Sequence, residues 1–197
     1  VFGISRSAEE LPFESAACDV SDYEGVKAIA QKLRQEKRAL QGVINAAGIA
    51  SMNLALTTPP SMTQKLIQTN LVGTIHCCQL FAPLMIRKKA GSIINFSTIA
   101  VALGLKGESI YAASKAGVEG FSRAFAREMA NFNIRVHCVD PGPIKTDLRR
   151  GVSDEQIDAI VSHQIIPKIF QPGDVSDLCE FLLSSKSASL SGQVLHV

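Results

Sequence analysis

The sequence predicts an α/β fold: a doubly wound parallel sheet with helices on both faces. Three observations carry that prediction. Strand and helix patterns alternate along all 197 residues. Most strand patterns are short, continuous and apolar on both faces, as strands buried between two helix layers must be. Polar or glycine-rich turns follow the strands at their C-terminal ends, where ligands bind in such sheets.

Val1 to Ser5 reads as a short buried strand that ends at Arg6. Ala16 to Cys18 is a second, closed by Asp19-Val20. Ser21-Asp22-Tyr23-Glu24 has the form of a capping box, and the helix it opens sets Val26, Ile29, Ala30 and Leu33 on one face. Leu40 to Ile44 is a strand that runs straight into the small-residue turn Asn45-Ala46-Ala47-Gly48. Beyond a Thr/Pro-rich loop ending at Pro59-Pro60, Met62 to Arg87 predicts one long helix, irregular near Gly73 and Pro83. Ser92 to Phe96 is a β-branched strand leading to Ser97-Thr98. A loop bearing Gly104 and Gly107 precedes a helix from about Ile110 to Asn131. Ile134 to Val139 is a further strand, ending at Asp140-Pro141-Gly142-Pro143. Ser153 to Ser162 and Asp174 to Ser184 predict two later helices, and Gln193 to Val197 a last strand. No repeat, low-complexity tract or linker interrupts the series, so residues 1–197 read as a single domain.

Composition narrows the function. At 46% hydrophobic residues the chain can bury one sizeable core. The net charge is +2 and the basic residues are scattered, so no stripe invites nucleic acid. The five cysteines form no C-x-x-C pair and sit in apolar runs, which suits buried thiols in a reducing cytoplasm. Four histidines far apart predict no metal site. No stretch reads as long and apolar enough to span a bilayer, and no signal-peptide pattern opens the chain.

The chemistry-bearing stretch is Tyr111-Ala112-Ala113-Ser114-Lys115. On a helix, Tyr111 and Lys115 are one turn apart and share a face. A free phenol titrates near 10 and is a poor acid–base group, and a fixed cation nearby favours the phenolate. Any helix can carry this spacing by chance.

With Asn45-Ala46-Ala47-Gly48, Asn70, Ser97-Thr98, Tyr111-x-x-x-Lys115 and Pro141-Gly142 in this order, the chain resembles the short-chain dehydrogenase/reductase family. It looks most like the branch that includes 3-oxoacyl-acyl-carrier-protein reductases. The resemblance covers essentially the whole chain and implies a Rossmann-like domain that transfers hydride between a nicotinamide and a carbonyl or alcohol carbon. Tyr111 would supply the proton to the carbonyl oxygen. Lys115 would lower the tyrosine's pKa and bond the nicotinamide ribose, and Asn70 would hold a water linking Lys115 to solvent. The family's serine thirteen residues before the tyrosine is Thr98 here, which keeps a hydroxyl donor; Ser97 is the second choice.

The resemblance also implies the cofactor contacts. Ser5-Arg6-Ser7 carries no carboxylate at the position where NAD-preferring members have one, and an arginine suits the 2′-phosphate of NADPH. Asp19 and Val20 would meet the adenine. Asn45, Ala46, Ala47 and Gly48 would let the backbone pass close to the cofactor. Pro141, Gly142, Ile144 and Thr146 would border the nicotinamide. The family's Gly-x-x-x-Gly-x-Gly phosphate turn does not occur in these residues. The expectation is a piece of a longer domain, incomplete at both ends and lacking the first strand–helix unit. A sheet centre without its strand would otherwise be exposed.

The substrate implied is a small-molecule or acyl-carrier-bound carbonyl compound. Leu148 to Pro172 would form the lid that selects it. The apolar faces of the two long helices, with the resemblance, imply a homodimer or homotetramer. An NAD-dependent secondary-alcohol or sugar dehydrogenase would use the same residues. A non-catalytic member binding a nucleotide or a partner would fit the missing glycine turn.

Overall fold

The computed structural model describes residues 1–7, 12–144 and 154–197. Its strands are β1 (Phe2–Ser5), β2 (Glu14–Ala17), β3 (Gly42–Asn45), β4 (Gly91–Phe96), β5 (Ile134–Asp140) and β6 (Val194–His196). All strand pairings are parallel, but they form two sheets rather than one: β1 pairs β2, and β3-β4-β5-β6 pair in that order. Among the described residues β1 and β3 share no ladder. Between them lies a cavity of about 210 Å³ lined by Phe2 and Ile4 on one side and Gly42 to Asn45 on the other.

The helices are α1 (Tyr23–Gln35), α2 (Pro60–Leu66), α3 (Gly73–Ile86), α4 (Ala100–Leu103), α5 (Ser109–Met129), α6 (Asp154–Ser162) and α7 (Pro172–Leu183). Side chains alternate along β4, so its two faces pack against different helices. Ile93 joins Val136, Cys78, Met85 and Phe125 under α3 and α5. Ile94 joins Val139, Val175 and Leu182 under α7. The β1–β2 pair is tied in by Phe2 and Ile4 against Val26, Leu33 and Phe81 of α1 and α3.

Several sequence expectations shift. The long helix begins at Pro60, where a proline is welcome in the first turn, and it is broken by a π turn at Ile67–Val72. That turn lies just before Gly73; α3 continues through Pro83. Gly73 is required there by contact, since a Cβ would sit 2.6 Å from Val20 Cγ2. The capping box at the start of α1 does not form: Asp22 makes no side-chain cap bond. Instead Asp19 Oδ1 accepts both the Ser21 N–H (2.9 Å) and its hydroxyl (2.7 Å).

Contrary to the bilayer expectation, Pro60–Ile86 is long and apolar enough to cross a membrane by length and composition. The physical reason is burial. Its apolar side chains face α1 and the sheet, and 44% of its most apolar window is inside the fold. The five cysteines are free thiols, four of them buried.

Candidate active site

α5 is amphipathic in an unusual sense, because its buried stripe is largely polar. Tyr111, Ser114, Lys115, Val118, Glu119 and Ser122 follow helical spacing and are all buried. A helix pays for such a stripe only if its polar groups find partners. The Ser114 hydroxyl donates to the Tyr111 carbonyl (2.7 Å), and the Ser122 hydroxyl to the Val118 carbonyl (2.7 Å). Glu119 accepts from the Ser97 hydroxyl (2.9 Å) and from Arg123 (2.9 Å).

The stripe faces the C-terminal ends of β4 and β5. Ser97 N–H continues the ladder onto the Val139 carbonyl (2.8 Å), and Ile99 N–H reaches the Pro141 carbonyl (3.2 Å). These bonds seat the loop that follows β4. The two hydroxyls of that loop diverge. Ser97 is buried and committed to Glu119, whereas the Thr98 hydroxyl lies near enough to the Tyr111 phenol to favour its ionised form. Thr98 Oγ1 also accepts the Ala100 N–H (3.3 Å), which starts α4.

Lys115 is 5% exposed, and its Nζ donates to the Phe96 carbonyl at 2.9 Å. Burial pulls this ammonium down to about 8, with Cys138 and Asp140 pushing it back up. Burial pushes the Tyr111 phenol up to about 12, against the Thr98 hydroxyl, which lowers it. The expected lowering by Lys115 is not what governs the phenol: desolvation of the phenolate raises it, and the Glu108 and Asp140 carboxylates add to the rise. Tyr111 is a neutral phenol at physiological pH.

Asn70 is fully buried in the π turn. Its Oδ1 accepts the Ile49 N–H (2.8 Å), and its Nδ2 donates to the Ile49 carbonyl (2.9 Å) and to Ser114 Oγ (3.0 Å). Its backbone carbonyl accepts the Thr74 hydroxyl (2.8 Å). The side chain is thus a clamp between the π turn, the loop after β3 and α5, leaving little of it to hold a water. A Cβ on Gly48 would stand 3.3 Å from both Asn70 Oδ1 and Lys115 Nζ. Glycine there leaves room for the buried lysine.

The other sequence-predicted residues gather along the same edge. Ser5 and the exposed Arg6 end β1; Asp19 and Val20 follow β2, and Arg6 is close enough to Asp19 to favour its carboxylate. Asn45 is committed inward, donating to Asn95 Oδ1 (2.8 Å), which leaves Ala46 and Ala47 as the open part of that turn. Gly142 N–H bonds the Val197 carbonyl (2.7 Å), and Ile144 bridges Phe170. Pro141 stands beside Gly142 at the same strand end. Thr146 lies outside the described residues, as does 148–153 of the expected lid.

These residues fit the two ends of a nicotinamide dinucleotide. Arg6 and Asp19 offer charge at the edge of the β1–β2 pair, and Tyr111, Lys115 and the Pro141-Gly142 turn offer a polar, water-poor corner. Sequence reading missed Asp140 and Glu119, two buried carboxylates beside the Ser97-Thr98 loop. Asp140 carried a signal, a carboxylate directly before Pro-Gly at a strand end. Glu119 carried one too, a charge four residues past Lys115 on the same face.

Comparison with known proteins agrees with this geometry. Residues 3–197 match the family described as Enoyl-(Acyl carrier protein) reductase. The chain is similar to the 3-oxoacyl-acyl-carrier-protein reductase FabG of Staphylococcus aureus, 34% identical over 179 residues that cover 91% of this chain and 73% of that protein. The FabG of Chlamydia muridarum is 35% identical over 182 residues, covering 92% and 73%. Among solved structures, gox2181 has a TM-score of 0.87 at 26% identity, over 93% of this chain and 74% of its own.

Proposed function

We propose a reaction from one premise: the chain belongs to the short-chain dehydrogenase/reductase family, and so to the NAD(P)-dependent oxidoreductases. The reaction is reduction of a 3-oxoacyl thioester, carried by acyl carrier protein or coenzyme A, to the 3-hydroxyacyl product. The observation that carries this reading is the Thr98–Tyr111–Lys115 group at the strand ends, with Tyr111 and Lys115 buried, Thr98 half-buried beside them and the phenol neutral.

When bound, NADPH supplies the hydride that reduces the carbonyl carbon. The protein supplies the rest. Thr98 and Tyr111 hydroxyls bind the carbonyl oxygen between them. As negative charge develops on that oxygen, the Tyr111 proton moves to it and the C–O double bond becomes an alcohol. The phenolate left behind faces the Lys115 ammonium, which is charged below about pH 8 and offsets the new charge. Arg6, exposed at the end of β1, supports a 2′-phosphate and hence NADPH over NAD. Ser5, Asp19, Val20, Ala46, Ala47, Pro141, Gly142, Ile144 and Thr146 would line the rest of the dinucleotide, with Asn45 acting through the turn it anchors. Five free thiols suit a reducing compartment such as the cytoplasm, and the family favours a homodimer or homotetramer.

The test is NADPH oxidation with acetoacetyl-coenzyme A by the wild-type chain and by Tyr111→Phe. The expected loss in kcat is at least 100-fold, in line with removal of a general acid. Equal rates would take Tyr111 out of its role. NADPH binding without turnover would favour a non-catalytic member.

A further inference from the structure

Asp140 is the least comfortable group in this protein. It is 1% exposed, yet neither carboxylate oxygen has a well-aligned hydrogen bond. His196 Nδ1 stands 2.9 Å from Oδ2, on a side chain that is 56% exposed. The Ser97 hydroxyl gives its one proton to Glu119, so it and the Thr98 N–H favour the Asp140 carboxylate only through looser contacts. A buried carboxylate so poorly supported costs several kcal/mol, and an asparagine would fit the turn with less penalty. Structural need alone does not account for it.

Its position does. β5 delivers Asp140 to the end of the sheet opposite the buried stripe of α5, and β6 pairs His196 with it in register. Asp140 bears electrostatically on both Lys115 and Tyr111, and it braces the Ser97-Thr98 loop. We infer that Asp140 is a positioning residue that balances the charge of the buried Tyr111–Lys115 pair, with the exposed His196 as its link to solvent. Its charge keeps Lys115 protonated and the phenol neutral, the two states the reduction needs, while its contacts hold Thr98 opposite Tyr111. The other groups facing this cluster are Glu108 just before α5, which also raises Tyr111, Glu119 and Arg123 from α5, and Cys138 from β5.

The kinetic side of this inference rests on the reductase reading, but its electrostatic side does not. The chain has two tyrosines and no tryptophan. In a Tyr23→Phe background the phenolate absorbance of the ligand-free protein therefore reports Tyr111 alone. Asp140→Asn should move that titration to lower pH by about half a unit or more, since a buried negative charge is removed. In turnover, Asp140→Asn should bring the alkaline fall in kcat to lower pH, with the KM for NADPH changing less than twofold. His196→Gln, at an exposed side chain, should move the acid fall in kcat to higher pH, because Asp140 loses the partner that favours its carboxylate. It also serves as the probe if Asp140→Asn does not fold. An unmoved Tyr111 titration in Asp140→Asn, or an unmoved acid limb in His196→Gln, overturns the inference. Retained activity in Tyr111→Phe would sink the reductase reading instead, and leave the titration to judge Asp140 by itself.

Discussion

Lys115 shows what a buried cation, proposed to act in the reaction, costs its own fold. At neutral pH it is charged and 95% removed from water, with one hydrogen bond, to Phe96. Its ammonium titrates at about 8 against an ordinary 10.5. The unfolded chain therefore binds more protons between those values, and stability rises as pH climbs from about 8 to 10.5. Below about 8 the full penalty is present. Lys115→Met should thus abolish turnover yet raise stability at pH 7 by about 1–3 kcal/mol, read from urea unfolding. In the wild type, reduction should fall as pH rises through about 8, which a kcat profile would show. The Tyr-x-x-x-Lys spacing was plain in the sequence; the direction of the tyrosine's shift was not. Spacing tells which groups share a face, whereas burial is decided by everything packed around them.

At the scale of elements, the π turn at Ile67–Val72 joins parts that are distant in sequence. Through Asn70 it grips the loop after β3 and the start of α5 by three side-chain hydrogen bonds. Asn70→Ala would leave the Ile49 N–H and carbonyl without these partners, and should destabilise the chain by about 2–3 kcal/mol. A drop in the urea midpoint with an unchanged m-value would confirm it. The sequence located this helix and flagged an irregularity near Gly73, because glycine and proline punctuate helices visibly. It could not distinguish a π turn from a kink, since a widened turn is a hydrogen-bond pattern rather than a residue preference. For the same reason Ser21 and Glu24 looked like the two ends of a capping box, when Asp19 had already taken Ser21.

Over the whole molecule, alternating strands and helices made the layered parallel fold legible, since each strand's apolar run demands helices on both sides. The fully buried His137 of β5 was hidden in that pattern. Both ring nitrogens lack a well-formed partner, and burial pulls the imidazole down to about 4 from an ordinary 6.5. The unfolded chain takes up the proton first, so stability falls as pH drops from about 6.5 to 4, by about 3 kcal/mol at the lower end. His137→Leu should flatten that decline, measured as Tm between pH 6.5 and 4.5. A decline as steep as in the wild type would assign it to other groups.

The break between the two sheets also divides the molecule in time. Among the described residues β1 and β2 hold only each other by backbone bonds and lean on α1 and α3 through side chains, whereas β4 and β5 sit inside a four-stranded ladder. With residues 1–197 on their own, the first pair should open without disturbing the second, as a cooperative unit of low opening free energy. In hydrogen–deuterium exchange, amides of 2–5 and 14–17 should lose protection well before those of 91–96 and 134–140. The residues expected to meet adenosine ride on the early-opening unit, and Tyr111 and Lys115 on the late one. The two ends of one dinucleotide would then be gripped by parts of the protein that breathe at different rates.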